Sequence, residues 1–239
     1  MVRRFCVSIG AKTIKELSSS INKAIDLSDF LEIRFDFLEQ SEIPSSMKII
    51  ESIKSRSVFT LRSQEHQGKF KGNELERLKL VKMLYDANPM LLDVEYDTII
   101  ADNSLNNYMK DKSNVLISWH NFSSTPSDDY LEKKIYDMKK ISHNIKLVTM
   151  ATNVTDSLRL LNLYEKFKDI NLITFAMGDC GILSRILCTF YGSPFTYASL
   201  VKSIAPGQLS VIEMRRIYDR INKYFFDNVI TNKDILHNR

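Results

Sequence analysis

Lys146 stands inside an otherwise apolar run, Asn144–Ala151, where a charged ammonium is costly to bury. Two readings are open. Either the side chain snorkels out at the start of the run, or it stays inside with a lowered pKa, which makes it a nucleophilic amine. Other ionisable residues fall in or at the ends of similar runs. Glu32 and Arg34 are two positions apart and share one face of an extended segment. Arg62 and His120 close apolar runs, Asp93, Glu95 and Asp97 alternate, and Arg185 follows a short glycine-containing turn. Each has a bland alternative. Buried ion pairs are often structural, alternating acids can line a solvated face, a lone arginine can sit at a strand end, and a lone histidine is more often a satisfied core residue. His66, His143 and His237 fit loop, helix-end and tail positions and carry no signal by themselves. Together, several arginines at one opening suit a carboxylate, whose two oxygens match the guanidinium fork. Lysine and histidine with no metal-ligand set suit carbonyl chemistry through an imine, with no cofactor and no metal. The residues alone lead to an imine-forming lyase or aldolase acting on an acidic carbonyl compound.

What positions these groups is an alternation of short apolar runs with amphipathic stretches. Arg4–Gly10 is followed by Thr13–Leu27, where Ile14, Leu17, Ile21 and Ile25 recur at helical spacing. Strands are then predicted at Phe30–Phe35, Val58–Arg62, Met90–Tyr96, Val115–His120, Ile145–Ala151, Leu172–Met177 and Phe195–Leu200. Helices are predicted at Ser46–Lys54, Glu74–Tyr85, weakly at Ser104–Met109, at Asp128–Ile141 with Ser127 as cap, Val154–Phe167 with Asn153 as cap, Ile182–Tyr191 and Val211–Phe226. Continuous apolar strands in strict alternation with helices mean a parallel sheet buried on both faces. Eight such units in 239 residues favour a closed (β/α)8 barrel of the α/β class in a single domain. The structural alternative is an open doubly wound sheet, which would normally carry a glycine-rich turn after its first strand; Gly10-Ala11-Lys12 is not one. The barrel is expected over residues 1–226, with a polar tail at 227–239. In a barrel, chemistry collects at the C-terminal ends of the strands, where the residues above fall.

Composition narrows the class. Apolar residues make up 44% of the chain, enough for a sizeable core, and 33 basic against 29 acidic residues leave a net charge of +4. Lys139-Lys140 and Arg215-Arg216 are pairs rather than the dense basic blocks that follow a phosphate backbone, so no nucleic-acid partner is expected. Three cysteines without a spacing pattern argue against a disulfide framework. No run reaches membrane-spanning length and residues 1–10 lack a signal-peptide pattern, so a cytoplasmic protein is expected.

Eight motifs in order carry a family resemblance over nearly the whole chain: Val7-Ser8, Glu32-Ile33-Arg34-Phe35-Asp36, Thr60-Leu61-Arg62, Leu92-Asp93-Val94-Glu95, Ser118-Trp119-His120, Lys146–Ala151, Met177-Gly178 with Ser184-Arg185, and Ala205-Pro206-Gly207-Gln208. At these residues the sequence resembles the type I 3-dehydroquinate dehydratases of the shikimate pathway. The resemblance implies a hydro-lyase that converts 3-dehydroquinate to 3-dehydroshikimate. It makes Lys146 the imine-forming residue and His120 the general base, returning its proton as water leaves. It makes Glu32, Arg34, Arg62 and Arg185 substrate-binding residues, Arg185 as carboxylate clamp. Ser8 and Gln208 become hydroxyl contacts, Gln208 on a loop that closes as a lid; Asp93 and Glu95 orient or balance Lys146. It also implies a homodimer. Another imine-forming class I aldolase on the same barrel is the alternative, and a non-catalytic barrel would require a broken lysine or histidine. Two departures stand out. Glu65-His66-Gln67-Gly68 replaces the family's Glu-Gly-Gly, which puts an acidic contact in doubt and brings His66 forward. Ile204, with Ser203 before it, replaces the lid serine.

Overall fold

The computed structural model describes residues 4–201 and 203–224. Its elements run β1 (Phe5–Ile9), α1 (Ile14–Ala24), β2 (Phe30–Arg34), α2 (Ile43–Ile50), β3 (Ser57–Thr60), α3 (Glu74–Asp86), β4 (Leu91–Glu95), α4 (Tyr96–Ala101), α5 (Asn103–Tyr108), β5 (Val115–Asn121), α6 (Asp128–Lys139), β6 (Asn144–Met150), α7 (Val154–Lys166), β7 (Asn171–Met177), α8 (Ile182–Tyr191), β8 (Thr196–Ser199) and α9 (Val211–Asn222). All eight strands form one parallel sheet in the order β7-β6-β5-β4-β3-β2-β1-β8. Helices cover its outer face, as the unbroken burial of β1, β3 and β8 requires.

Local chemistry sets the helix starts. Thr13 and Asn153 accept hydrogen bonds from the exposed N–H groups of the first turns of α1 and α7. Asn73 with Glu76, and Ser210 with Glu213, form reciprocal capping boxes at α3 and α9. Ser127 occupies the cap position of α6, but its side chain makes no capping bond. The fourth unit differs from the single weak helix expected there. It has two short helices, with Asp102 capping the second, so that Ile99 and Leu105 both reach the core. Strand β3 ends at Thr60, which leaves Arg62 just beyond it. The expected tail, with Phe226 and His237, lies outside the described residues.

The eight strands form the expected barrel, with one seam open in the backbone. Among the described residues no backbone ladder joins β7 to β8. The rings of Phe175 and Tyr197 meet across that seam at 6.1 Å, and Thr196 Oγ1 ties β8 to α8 by donating to the Arg185 carbonyl at 2.8 Å. The barrel is nearly closed, with its seam between two strands that supply the cavity wall.

The mouth is tied to the outer helices by Arg77, only 1% exposed. Its guanidinium donates to both carboxylate oxygens of Glu74 (2.8 and 2.7 Å), to Glu95 Oε2 (3.1 Å), to the Leu61 carbonyl (3.0 Å) and to Thr98 Oγ1 (2.9 Å). Burial opposes the charge on Arg77, and Glu74 and Glu95 more than offset it, so its pKa is raised. Glu95 is buried beneath the mouth and also accepts the Ser63 N–H at 3.1 Å. Removing the cation strands a buried carboxylate. Arg77→Ala should therefore cost about 3–5 kcal/mol in urea unfolding, and adding Glu95→Gln should return a large part of it; a loss below about 1 kcal/mol would contradict the network's role.

Candidate active site

Register brings the site together. Across β5 and β6, Ser118 lies opposite Lys146 and His120 opposite Val148. Side chains alternate along a strand, so Ser118, His120 and Lys146 share the inner face, with His120 one pleat nearer the mouth. Lys146 is 6% exposed and does not snorkel. Its Nζ donates to Asp93 Oδ2 at 3.1 Å and lies 3.8 Å from Glu32 Oε1. Two carboxylates thus compensate the buried ammonium.

Asp93 is the hub. It also accepts from Arg62 (2.8 Å) and from Ser118 Oγ (2.6 Å), while Arg62 donates to Ser118 Oγ as well (2.8 Å). Burial works against its charge, but Arg62, Lys146, His120 and the Ser118 hydrogen bond hold its carboxyl well below the usual carboxylate range. Burial likewise opposes the charge on Arg62, and Asp93, Glu95, Glu32 and Asp36 more than restore it. Of the three alternating acids, Asp93 meets the lysine, Glu95 meets Arg62 (3.6 Å) and Arg77, and Asp97 is on α4 in solvent.

Glu32 accepts from Ser8 Oγ (2.6 Å) and Thr60 Oγ1 (3.0 Å). Gln208 Nε2 donates to the same Ser8 oxygen at 3.3 Å, so the loop after β8 is docked on the site. Gln208 Oε1 accepts the Ile204 N–H, and the Pro206 carbonyl accepts from Gly178 N and Arg185, both at 3.4 Å. Gly207 has φ of 68°, and a β-carbon there would lie 2.4 Å from the Gly178 carbonyl oxygen, so this close packing requires glycine. Ser203 Oγ is turned to the Ala205 carbonyl, while Ile204 lines the cavity.

Arg34 lines the cavity, but Asp36 takes its Nε and one terminal nitrogen at 2.8 and 2.7 Å. Arg185 is different. It is 1% exposed, lies 4.4 Å from the Phe175 ring, and has an unpartnered Nε; among the described residues no acid pairs with it. Burial alone pulls it down to about 10, with Cys188 opposing slightly, so it remains a cation at neutral pH. His120 stacks on Phe122 at 5.6 Å, and its Nδ1 is buried without a partner. Burial, then Arg62 and Lys146, push its pKa well below the ordinary value; Asp93 opposes them and His66 adds to them. His120 is therefore a neutral imidazole. His66 lines the same cavity, 4.0 Å from Asp97, whereas Glu65 points to solvent. Ser8, Glu32, Arg34, Arg62, Lys146 and Gln208 line one cavity of about 730 Å³ together with His66, His120 and Arg185, within the usual range for a small-molecule site.

The type I 3-dehydroquinase family model matches residues 5–224. The chain belongs to that family. The 3-dehydroquinate dehydratase of Dehalococcoides mccartyi is 38% identical over 196 residues, covering 81% of this chain and 86% of the relative. The enzyme of Pyrococcus abyssi is 36% identical, covering 84% and 94%. The solved 3-dehydroquinate dehydratase of Geobacillus kaustophilus has the same fold, with a TM-score of 0.82 over 95% of this chain and 93% of that one, at 23% identity.

The cavity places Ser8, Glu32, Arg34, Arg62, His120, Lys146, Arg185 and Gln208 together. Thr60 and Ser118 stood in the family motifs without a role and Tyr197 was passed over, because small hydroxyls and a tyrosine look ordinary in buried strands; their spacing from Glu32, Asp93 and Lys146 exists only across strands. A neutral buried histidine also has a thermodynamic consequence. Below about pH 6.5 the unfolded chain takes up a proton that folded His120 refuses, so folding weakens as pH falls. Wild type should lose up to about 1.4 kcal/mol relative to His120→Gln between pH 7.5 and pH 5.5 in urea unfolding. Parallel pH dependence in the two proteins would contradict a depressed His120.

Proposed function

We propose that this chain dehydrates 3-dehydroquinate to 3-dehydroshikimate in the shikimate pathway through an imine on Lys146. A buried amine and a neutral imidazole on adjacent strands, opening into one cavity, are the observation that carries this reading. The family match supplies the substrate.

His120 takes a proton from the Lys146 ammonium, and the free amine attacks the ketone carbon. His120 returns that proton to the former ketone oxygen, which leaves as water and gives a protonated imine. His120 then removes a proton from the neighbouring carbon, the C–H electrons moving toward the iminium nitrogen to give an enamine. Return of those electrons expels the β-hydroxyl, which His120 protonates, so water departs and the double bond forms. Hydrolysis releases product and restores the amine. Asp93 keeps its charge throughout and stabilises each cationic form of the nitrogen. Arg185, with no acid of its own, binds the substrate carboxylate as a charge-assisted pair. Ser8, Glu32, Arg34, Arg62 and Gln208 meet the ring hydroxyls and hold the plane of the enamine. A cytoplasmic homodimer is part of the same reading. Exposed Val154 and Leu158 on α7 lie beside exposed Leu183 and Tyr191 on α8, an apolar face suited to a second copy.

Borohydride added with 3-dehydroquinate should fix a reduced adduct on Lys146, detected by peptide mass spectrometry; folded protein that yields no adduct sinks the imine. Lys146→Ala should lose both adduct and turnover. Arg185→Ala should raise KM about 30-fold, as expected for losing a charge-assisted pair, with a smaller effect on kcat. An unchanged KM would remove the carboxylate clamp.

A further inference from the structure

Tyr197 lies at the seam strand β8 and faces the barrel axis, paired through the backbone with Cys6 of β1. It is 3% exposed and lines the same cavity as Lys146. Two features set it apart from the aromatic residues around it. Its ring centroid is 4.3 Å from Lys146 Nζ, close enough for the ring's negative face to attract a cation. Its hydroxyl is buried and has no hydrogen-bond partner. Buried tyrosine hydroxyls normally find one, because an unmade hydrogen bond is unfavourable. A phenylalanine would fill the same space without that cost, and Phe175 and Phe195, which contact this ring, are of that kind.

Burial, reinforced by Glu32, Cys6 and Asp93 and opposed by Arg62, pushes the Tyr197 phenol far above its ordinary value. The hydroxyl is thus a neutral donor with nothing to donate to, in the wall of a cavity that contains the reacting amine.

We propose that Tyr197 is a catalytic residue of this site, its ring face stabilising the cationic nitrogen of Lys146 and its hydroxyl donating to an oxygen of the bound substrate. This rests on the imine reading above. The ring makes no hydrogen bond with the nitrogen, so it supports ammonium and iminium alike without competing for the lone pair that attacks. Asp93 and Glu32 neutralise the nitrogen from their side of the barrel; Tyr197 covers it with its π face. The hydroxyl is closed off while the site is empty, so it completes its hydrogen bonding only when the ring turns toward a bound substrate, which makes it a binding group.

The two parts separate by substitution. Tyr197→Phe keeps the ring and drops the hydroxyl; Tyr197→Leu drops both. Wild type must first show the borohydride adduct on Lys146, and its absence there would refute the imine reading and not the tyrosine. Given that adduct, Tyr197→Phe should raise KM about fivefold to tenfold, keep kcat within about twofold, trap at the wild-type rate, and melt no lower than wild type, since no protein hydrogen bond is lost. Tyr197→Leu should in addition slow adduct formation about tenfold relative to Tyr197→Phe. A wild-type KM in Tyr197→Phe overturns the hydroxyl's role. Equal trapping rates in the Phe and Leu variants overturn the ring's role, and a lowered melting temperature in Tyr197→Phe with unchanged KM assigns the hydroxyl to folding.

Discussion

The carboxylate of Asp93 is the interaction on which the site depends. An ammonium inside an apolar barrel is sustainable only with an anion beside it, and Asp93 lies 3.1 Å from Lys146 Nζ. That anion is itself buried, so it needs cations and donors of its own. Arg62 and Ser118 supply them, from the loop after β3 and from β5. The three elements around β4 are thereby bound to one carboxylate. Its charge is locked, which matters for chemistry: a group that stays anionic can accompany the lysine nitrogen through every cationic form without consuming a proton.

The same logic extends outward. Arg62 needs Glu95 as well as Asp93, Glu95 needs Arg77, and Arg77 reaches Glu74 on α3 and Thr98 on α4. A chain of alternating charges thus runs from the reacting nitrogen to the solvent-facing helices. On the other side, Lys146 meets Glu32, which is held by Ser8, which is held by Gln208 of the docked loop. The loop therefore senses the site through two hydrogen bonds rather than through a direct contact with the lysine. Its backbone carbonyl at Pro206 also meets Arg185, so loop position and the anion-binding group are linked.

Much of this was legible in the sequence. Continuous apolar runs marked every strand, and a lysine inside one of them stood out, although the residues alone left it open whether Lys146 snorkels or stays buried; the structure buries it beside two carboxylates. Of the two caps expected, Asn153 accepts its hydrogen bond and Ser127 makes none, while the caps at Thr13, Asn73 and Ser210 emerge only in the structure. What was not legible depends on neighbours far apart in the chain. The ladders align Glu95 with Ser118 and Ser118 with Lys146, yet Lys146 meets Asp93, one pleat back; that offset across tilted strands is something periodicity does not encode. Pairing of Arg34 with Asp36 was hidden because the short turn after β2 bends the two side chains together. Tyr197 reads as one more aromatic in Phe195–Leu200; only the missing ladder between β7 and β8 and the ring's approach to Nζ distinguish it.

Charge balance explains why the cavity selects an acid. Among the described residues, Arg34, Arg62 and Lys146 in its wall and Arg77 behind it are matched by Asp36, Asp93, Glu95 and Glu32. Arg185 remains, buried over Phe175 and without a carboxylate. An unpaired buried cation raises the energy of the empty site, and a ligand carboxylate removes that penalty on binding. His120 belongs to the same balance. Because Arg62, Lys146 and burial keep it neutral, it adds no further positive charge and retains a lone pair for proton transfer. In the reading proposed above, the buried Arg185 guanidinium takes the ligand carboxylate while the surrounding positive charges keep His120 unprotonated, so one electrostatic arrangement serves both binding and proton abstraction.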